Sequence, residues 1–142
     1  MTGRVLVTGS NRGIGLEFVR QSLERGWRVY APCRWPTEAH SLHKLAAIHS
    51  ELSIHRLDVT VTEDIRAIGW EMEDIPLDVL VNNAGIYFEK KSPALHCGGI
   101  CYDDWLRTFE VNTLGAVRVT EALVDNVGSS EKKLVVVLSS HM

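Results

Sequence analysis

Residues 8–15 read Thr8-Gly9-Ser10-Asn11-Arg12-Gly13-Ile14-Gly15, directly after the apolar run Val5-Leu6-Val7 and directly before a segment of helical period. Glycines at a strand-to-helix junction serve two purposes. They adopt the backbone angles a sharp turn demands, and without a Cβ they let another group come close. The helix that opens behind them offers unpaired N–H groups and a partial positive charge, the combination that suits a pyrophosphate. A plain tight turn would use the same glycines, so the surrounding chain has to choose between the two.

Working outward, five apolar runs alternate with helix-period segments: residues 4–8, 28–31, 52–57, 77–81 and 133–138. Val5-Leu6-Val7, Val79-Leu80-Val81 and Leu134-Val135-Val136-Val137-Leu138 are apolar without alternation, as expected of strands covered on both faces of a parallel sheet. Between the runs, Leu16, Val19 and Leu23 share a helical face that Gly26 would stop. Thr60-Val61-Thr62-Glu63 has the spacing of a capping box, ahead of Ile65, Ile68, Met72 and Ile75. Asp103 is the expected cap of a long helix over 103–127 carrying Leu106, Phe109, Val117, Leu123 and Val127. Strands alternating with helices predict an α/β fold, a doubly wound parallel sheet of Rossmann type. Residues 1–142 read as one domain of that kind, ending after its fifth strand. The irregular stretch 87–101, with Pro93 and Gly98-Gly99, is the expected substrate-side loop.

Composition narrows the partners. A 142-residue chain with 45% apolar and 23% charged residues is ordinary for one soluble domain. A net charge of −3 gives no reason to expect nucleic acid or an anionic membrane, and no apolar run is long enough for a membrane span. The first strand follows Met1 almost at once, without a secretory signal. Three cysteines suit a reducing compartment, so a cytoplasmic location is expected. Metal binding is not expected: His40 and His43 form one loose set, His96-Cys97 and Cys101 another, and neither has the paired spacing of a zinc site. Cys33 has no visible base to activate it.

The spacing TGxxxGxG at 8–15 is the first of five features that follow in order. Asp58-Val59 ends the third run, Asn82-Asn83-Ala84-Gly85 the fourth, and Ser139-Ser140 the fifth, while Val111-Asn112 lies in the long helical segment. In this order and on these elements the chain resembles the short-chain dehydrogenase/reductase family along all 142 residues, most of all its carbonyl-reductase and C-factor-like branch. The resemblance implies that Gly9, Ser10, Asn11, Arg12, Gly13, Ile14 and Gly15 bind the dinucleotide together with Asn83, Ala84 and Gly85. It places Asp58 and Val59 near the adenine amine. It makes Ser140 the serine that orients a substrate carbonyl, and Asn112 the asparagine that positions a relay water. The family's tyrosine general acid or base, and the lysine that lowers its pKa, would follow beyond Met142. Tyr87-Phe88-Glu89-Lys90-Lys91 has the same spacing but follows the fourth strand directly in a loop, away from Ser140, and is set aside. The chain is therefore expected to be the N-terminal part of such an enzyme and inactive by itself, with the catalytic and substrate-binding remainder missing.

The second run continues Val29-Tyr30-Ala31-Pro32-Cys33-Arg34, with no carboxylate at its end to accept a ribose 2′-hydroxyl. Arg34, with Arg12 nearby in the glycine loop, would instead pair with a 2′-phosphate. A charged hydrogen bond is worth roughly 1.5–3 kcal/mol, or about 10- to 150-fold in favour of NADP(H), with NAD(H) still possible. The resemblance implies hydride transfer between a carbonyl and an alcohol on a small molecule, and a homo-oligomer when full length, since the long helix over 103–127 resembles one the family uses for subunit pairing. A non-catalytic dinucleotide-binding or regulatory module is the alternative. Methyl transfer from S-adenosylmethionine on a similar sheet fits the asparagine and serine pairs poorly.

Overall fold

The structure is a computed structural model that describes residues 2–88 and 99–139. Ser140, Lys91, His96 and Cys97 lie outside the described residues, and so does most of the irregular stretch. Five parallel strands form one sheet: β1 (Arg4–Val7), β2 (Arg28–Cys33), β3 (Leu52–Arg56), β4 (Val79–Asn82) and β5 (Leu134–Val137). Their order is β3-β2-β1-β4-β5. The chain thus winds outward one way from β1 through β3, then returns to the other side of β1 with β4. That reversal opens a crevice at the carboxyl ends of β1 and β4, the usual ligand position in such sheets.

Alternation along the strands divides the core in two. Val5, Val7, Val29, Ala31 and Val81 pack with Val19 and Leu23 of α1 (Gly13–Glu24) and Leu42 of α2 (His40–Ala46). Leu6, Tyr30 and Leu80 pack on the opposite face. There they meet Ile68 of α3 (Thr62–Glu71) and Val119, Leu123 and Val127 of α5 (Gly115–Gly128). Because each strand buries successive side chains on opposite faces, continuous apolar runs are what a two-sided sheet requires. Gly26 ends α1 as expected, with φ +76° and its N–H donated to the Leu23 carbonyl.

Two helix starts differ from expectation. Thr60 does not cap α3, which begins at Thr62 behind Val61. The Thr60 hydroxyl and N–H both donate to Asp58 Oδ1, at 2.7 and 2.9 Å, closing an Asx turn before the helix. Asp103 is likewise not a cap. It lies in the first turn of α4 (Tyr102–Phe109) with Asp104, where carboxylates face the positive helix end. The long helix is also not uniform: a π-helical turn, Glu110–Leu114, joins α4 to α5. Among the described residues no helix is long and apolar enough to cross a membrane.

Candidate cofactor-binding site

The crevice is built around the side chain of Thr8, which is 1% exposed. Its hydroxyl accepts the N–H groups of Asn83 and Ala84, each at 3.0 Å. In return, the Asn83 side-chain amide donates to the carbonyls of Thr8 at 3.0 Å and Gly9 at 3.1 Å. Four hydrogen bonds therefore lock the end of β1 to the end of β4 and fix the turn that follows. Sequence reading quoted Thr8 in the glycine motif but missed it as a site residue; a buried acceptor shows only when β4 is beside it.

The turn itself is glycine for steric reasons. Gly9 (φ +62°) and Gly13 (φ +56°) occupy left-handed backbone. A Cβ on Gly15 would lie 2.3 Å from the Gly9 carbonyl oxygen and 2.5 Å from the Asn83 amide nitrogen. The first hydrogen bond of α1 runs from Leu16 N–H to the Arg12 carbonyl at 3.2 Å, so the N–H groups of Gly13, Ile14 and Gly15 have no partner within the helix. Its first turn carries no acidic residue, and Asn11, Arg12, Gly13 and Ile14 are exposed there. Three open amides at a helix N-terminus beside a glycine cradle are what a pyrophosphate fits.

Ser10 and Val59 act differently from the other candidates. The Ser10 hydroxyl is fully buried and donates to the Pro32 carbonyl at 3.0 Å, pinning the glycine turn to β2 instead of facing the crevice. The Val59 side chain is buried in the α3–α5 core, where a Cβ on Gly115 would come within 2.5 Å of its Cγ2. Asp58 stays partly exposed at the end of β3. Partial burial pushes its carboxyl pKa up, but the hydrogen bonds from Thr60, then the charges of Arg107 and Arg34, outweigh it and hold the group below the usual range. Arg107 also donates to the Thr60 hydroxyl at 3.2 Å, tying α4 to the same turn.

Arg34 follows β2 directly, within electrostatic reach of Asp58. Arg12 precedes α1 in extended backbone with its side chain exposed. Asn112 sits in the π-helical turn, and its amide clasps one backbone residue from both sides. Oδ1 accepts the Ile86 N–H at 2.8 Å, and Nδ2 donates to the Ile86 carbonyl at 2.9 Å. That pair fixes the chain just past Gly85, whose Cβ position lies 3.4 Å from the same Oδ1. Asn112 is therefore brought to the mouth of the crevice, though its side chain is engaged there with backbone. π-helical turns concentrate at functional sites because they reshape one turn of a helix around such a contact. Elsewhere His43 Nε2 is 2.8 Å from the Pro36 carbonyl oxygen, and among the described residues no three His, Cys, Asp or Glu groups gather as for a metal.

Residues 3–142 match the family described as short chain dehydrogenase. Retinol dehydrogenase 12 of Mus musculus is 33% identical over 141 residues, which is 96% of this chain and 42% of that protein. An NADPH-bound carbonyl reductase from chicken fatty liver superposes with TM-score 0.77 at 33% identity, over 89% of this chain and 48% of that one. A carbonyl reductase from Pseudomonas aeruginosa in complex with NADP gives TM-score 0.80 at 28% identity, over 89% and 54%. The chain thus spans about half the length of the proteins it is similar to.

Proposed function

The chain belongs to the short chain dehydrogenase family, and from that premise we propose that it is the coenzyme-binding part of an NADP(H)-dependent oxidoreductase that interconverts a carbonyl and an alcohol. One observation carries the reading: the amides of Gly13, Ile14 and Gly15, which have no acceptor within α1, stand beside a turn where a Cβ on Gly9 or Gly15 would meet backbone, with a guanidinium after β2 where a carboxylate would select NAD(H).

When bound, the nicotinamide coenzyme supplies or takes up the hydride. The residues of this chain do the holding. The α1 amides take the pyrophosphate, Arg34 with Arg12 the 2′-phosphate, and Asp58 the adenine amine. Thr8 and Asn83 keep the floor of the crevice rigid, so little is lost to ordering when the coenzyme arrives. Asn112 holds the Ile86 backbone at the mouth, and Ser140 is assigned the orientation of the substrate carbonyl. The substrate is a small carbonyl or alcohol compound. The exposed Tyr102, Leu106, Phe109 and Val117 of α4 and α5 are assigned to pairing with a second copy. Within these 142 residues the only Tyr-x-x-x-Lys spacing is Tyr87 to Lys91. We therefore expect this chain alone to bind coenzyme without turning it over.

Calorimetric titration of the chain with NADPH and NADH tests the reading. NADPH should bind about 10- to 150-fold more tightly, one charged hydrogen bond's worth, and Arg34→Asp should remove or reverse the preference. Absence of binding by either coenzyme would overturn it.

A further inference from the structure

Arg56 is the last residue of β3 and lies beside Cys33, the last residue of β2. Its side chain makes three contacts at once. The guanidinium carbon stands 5.2 Å from the centroid of the Trp35 ring. Nη1 donates to the Arg34 carbonyl at 3.0 Å. Nε is 3.3 Å from Oδ2 of Asp64 in the first turn of α3. The Asp64 side chain is largely buried, and the same Oδ2 accepts the Asp58 N–H at 2.8 Å. One planar cation thereby links the segment after β2 to the segment after β3, through an acid that α3 and the Asp58 turn hold in place.

This matters because Arg34 is exposed, on a segment that has left the sheet. Recognition of a 2′-phosphate by an unrestrained arginine would lose affinity to ordering that backbone and side chain. The contacts of Arg56 do that ordering beforehand. The Arg34 carbonyl is held and the Trp35 ring is stacked. Pro36 fixes the next φ. Meanwhile Asp64 pairs with Nε of Arg56 and the Arg34 carbonyl takes Nη1, so these two positions of its half-exposed guanidinium are engaged by protein groups.

We propose that Arg56 is a positioning residue for 2′-phosphate specificity, setting the conformation of Arg34 and Trp35 by stacking and by its hold on the Arg34 carbonyl. The inference rests on the assignment of Arg34 to the 2′-phosphate. A lysine at 56 keeps the charge but loses the planar fork and the stacking face, so it cannot substitute.

The experiment titrates the chain with adenosine 2′,5′-bisphosphate and with adenosine 5′-phosphate, which differ only in the group at issue. The parent should prefer the bisphosphate. Arg56→Met and Arg56→Lys should each reduce that preference about three- to tenfold, the equivalent of one hydrogen bond, while binding of the 5′-phosphate stays unchanged. Trp35→Leu, which removes an exposed ring and leaves the core intact, should move the ratio in the same direction. A full preference retained in Arg56→Met overturns the inference and leaves the Arg34 assignment standing. Equal weakening of both ligands assigns Arg56 a structural role only and also overturns it. A full preference retained in Arg56→Lys shows that charge alone suffices, again against positioning. A parent with no preference refutes the Arg34 assignment itself.

Discussion

The strands β1 and β5 have nearly the same sequence character and opposite surroundings. Val5, Leu6 and Val7 are at most 3% exposed, whereas Leu134, Val135 and Val137 are 47%, 37% and 59% exposed. β1 pairs with β2 on one side and β4 on the other, with helices over both faces. Among the described residues β5 pairs with β4 alone, and Val136 is its one side chain packed partly against the core. An apolar run thus specifies a strand and a two-sided environment for it, but the environment comes from neighbours in the fold. The same contrast accounts for the position of the proposed coenzyme site. Phosphate-binding geometry needs a turn that does not move, and such a turn can be held only between two interior strands, where β1 and β4 reach the switch point together.

The sharpest way to break the comparison is to truncate one residue in each strand. Leu6 is fully buried between the α3–α5 layer and its strand neighbours. Leu6→Ala should lower unfolding free energy by about 2–5 kcal/mol, the usual cost of a buried cavity. Val137→Ala, at an exposed position, should change it by less than about 0.5 kcal/mol. Urea unfolding of the two variants against the parent measures both. Similar losses would mean that β5 is covered in solution and that the contrast drawn from exposure is wrong.

A second prediction concerns the crevice that the interior strands support. Thr8→Val keeps the shape of the side chain and removes the acceptor for the Asn83 and Ala84 amides. Leaving buried donors unsatisfied costs about 1–3 kcal/mol, so the expected loss is smaller than that of Leu6→Ala and larger than any change on β5. Because the hydroxyl also fixes the glycine turn, NADPH affinity should fall even at temperatures where the variant is fully folded. Circular dichroism and calorimetric titration of one sample separate the two effects. An unchanged affinity would show that the Asn83 amide holds the turn without Thr8.

What could be read from sequence follows the range of the interactions. The five strands, the α1 stop at Gly26 and the glycine turn are set by local pattern and by backbone angles that few residues adopt, and all are found where expected. Thr60 was misread because two local motifs compete for one hydroxyl: the capping box asks it to face α3, while Asp58, two residues back, takes it first. The side-chain partners of Ser10 and Val59 were hidden for a different reason. Both lie in stretches that resemble a coenzyme site, and nothing local shows that Pro32 claims the serine or that Gly115 lets α5 close on the valine. Arg56 and Thr8 act through partners 22 and 75 residues distant, so no window of sequence could have assigned them. The π-helical turn at Glu110–Leu114 has no composition signal of its own; it shows as a site feature only once Asn112 is seen to hold Ile86.

The smallest expected effect on stability carries information about association. Among the described residues β5 lies at the edge of the sheet and presents apolar side chains, the arrangement that recruits a second strand. Val137→Lys puts a charge on the most exposed residue of β5 and keeps its pairing with Asn82 of β4. Folding free energy should therefore move by no more than about 0.5 kcal/mol. Self-association of the chain, followed by sedimentation velocity over a range of concentrations, should shift toward monomer, because a lysine on an edge must be desolvated or brought near its own copy before two edges can meet. Association through the α4 and α5 face would be indifferent to the same substitution, since Tyr102, Leu106 and Phe109 lie on other elements. A parent that is monomeric throughout removes the premise that the edge is adhesive. A parent that associates equally with and without the lysine assigns the contact to the helices, and the exposure of β5 then has no consequence in solution.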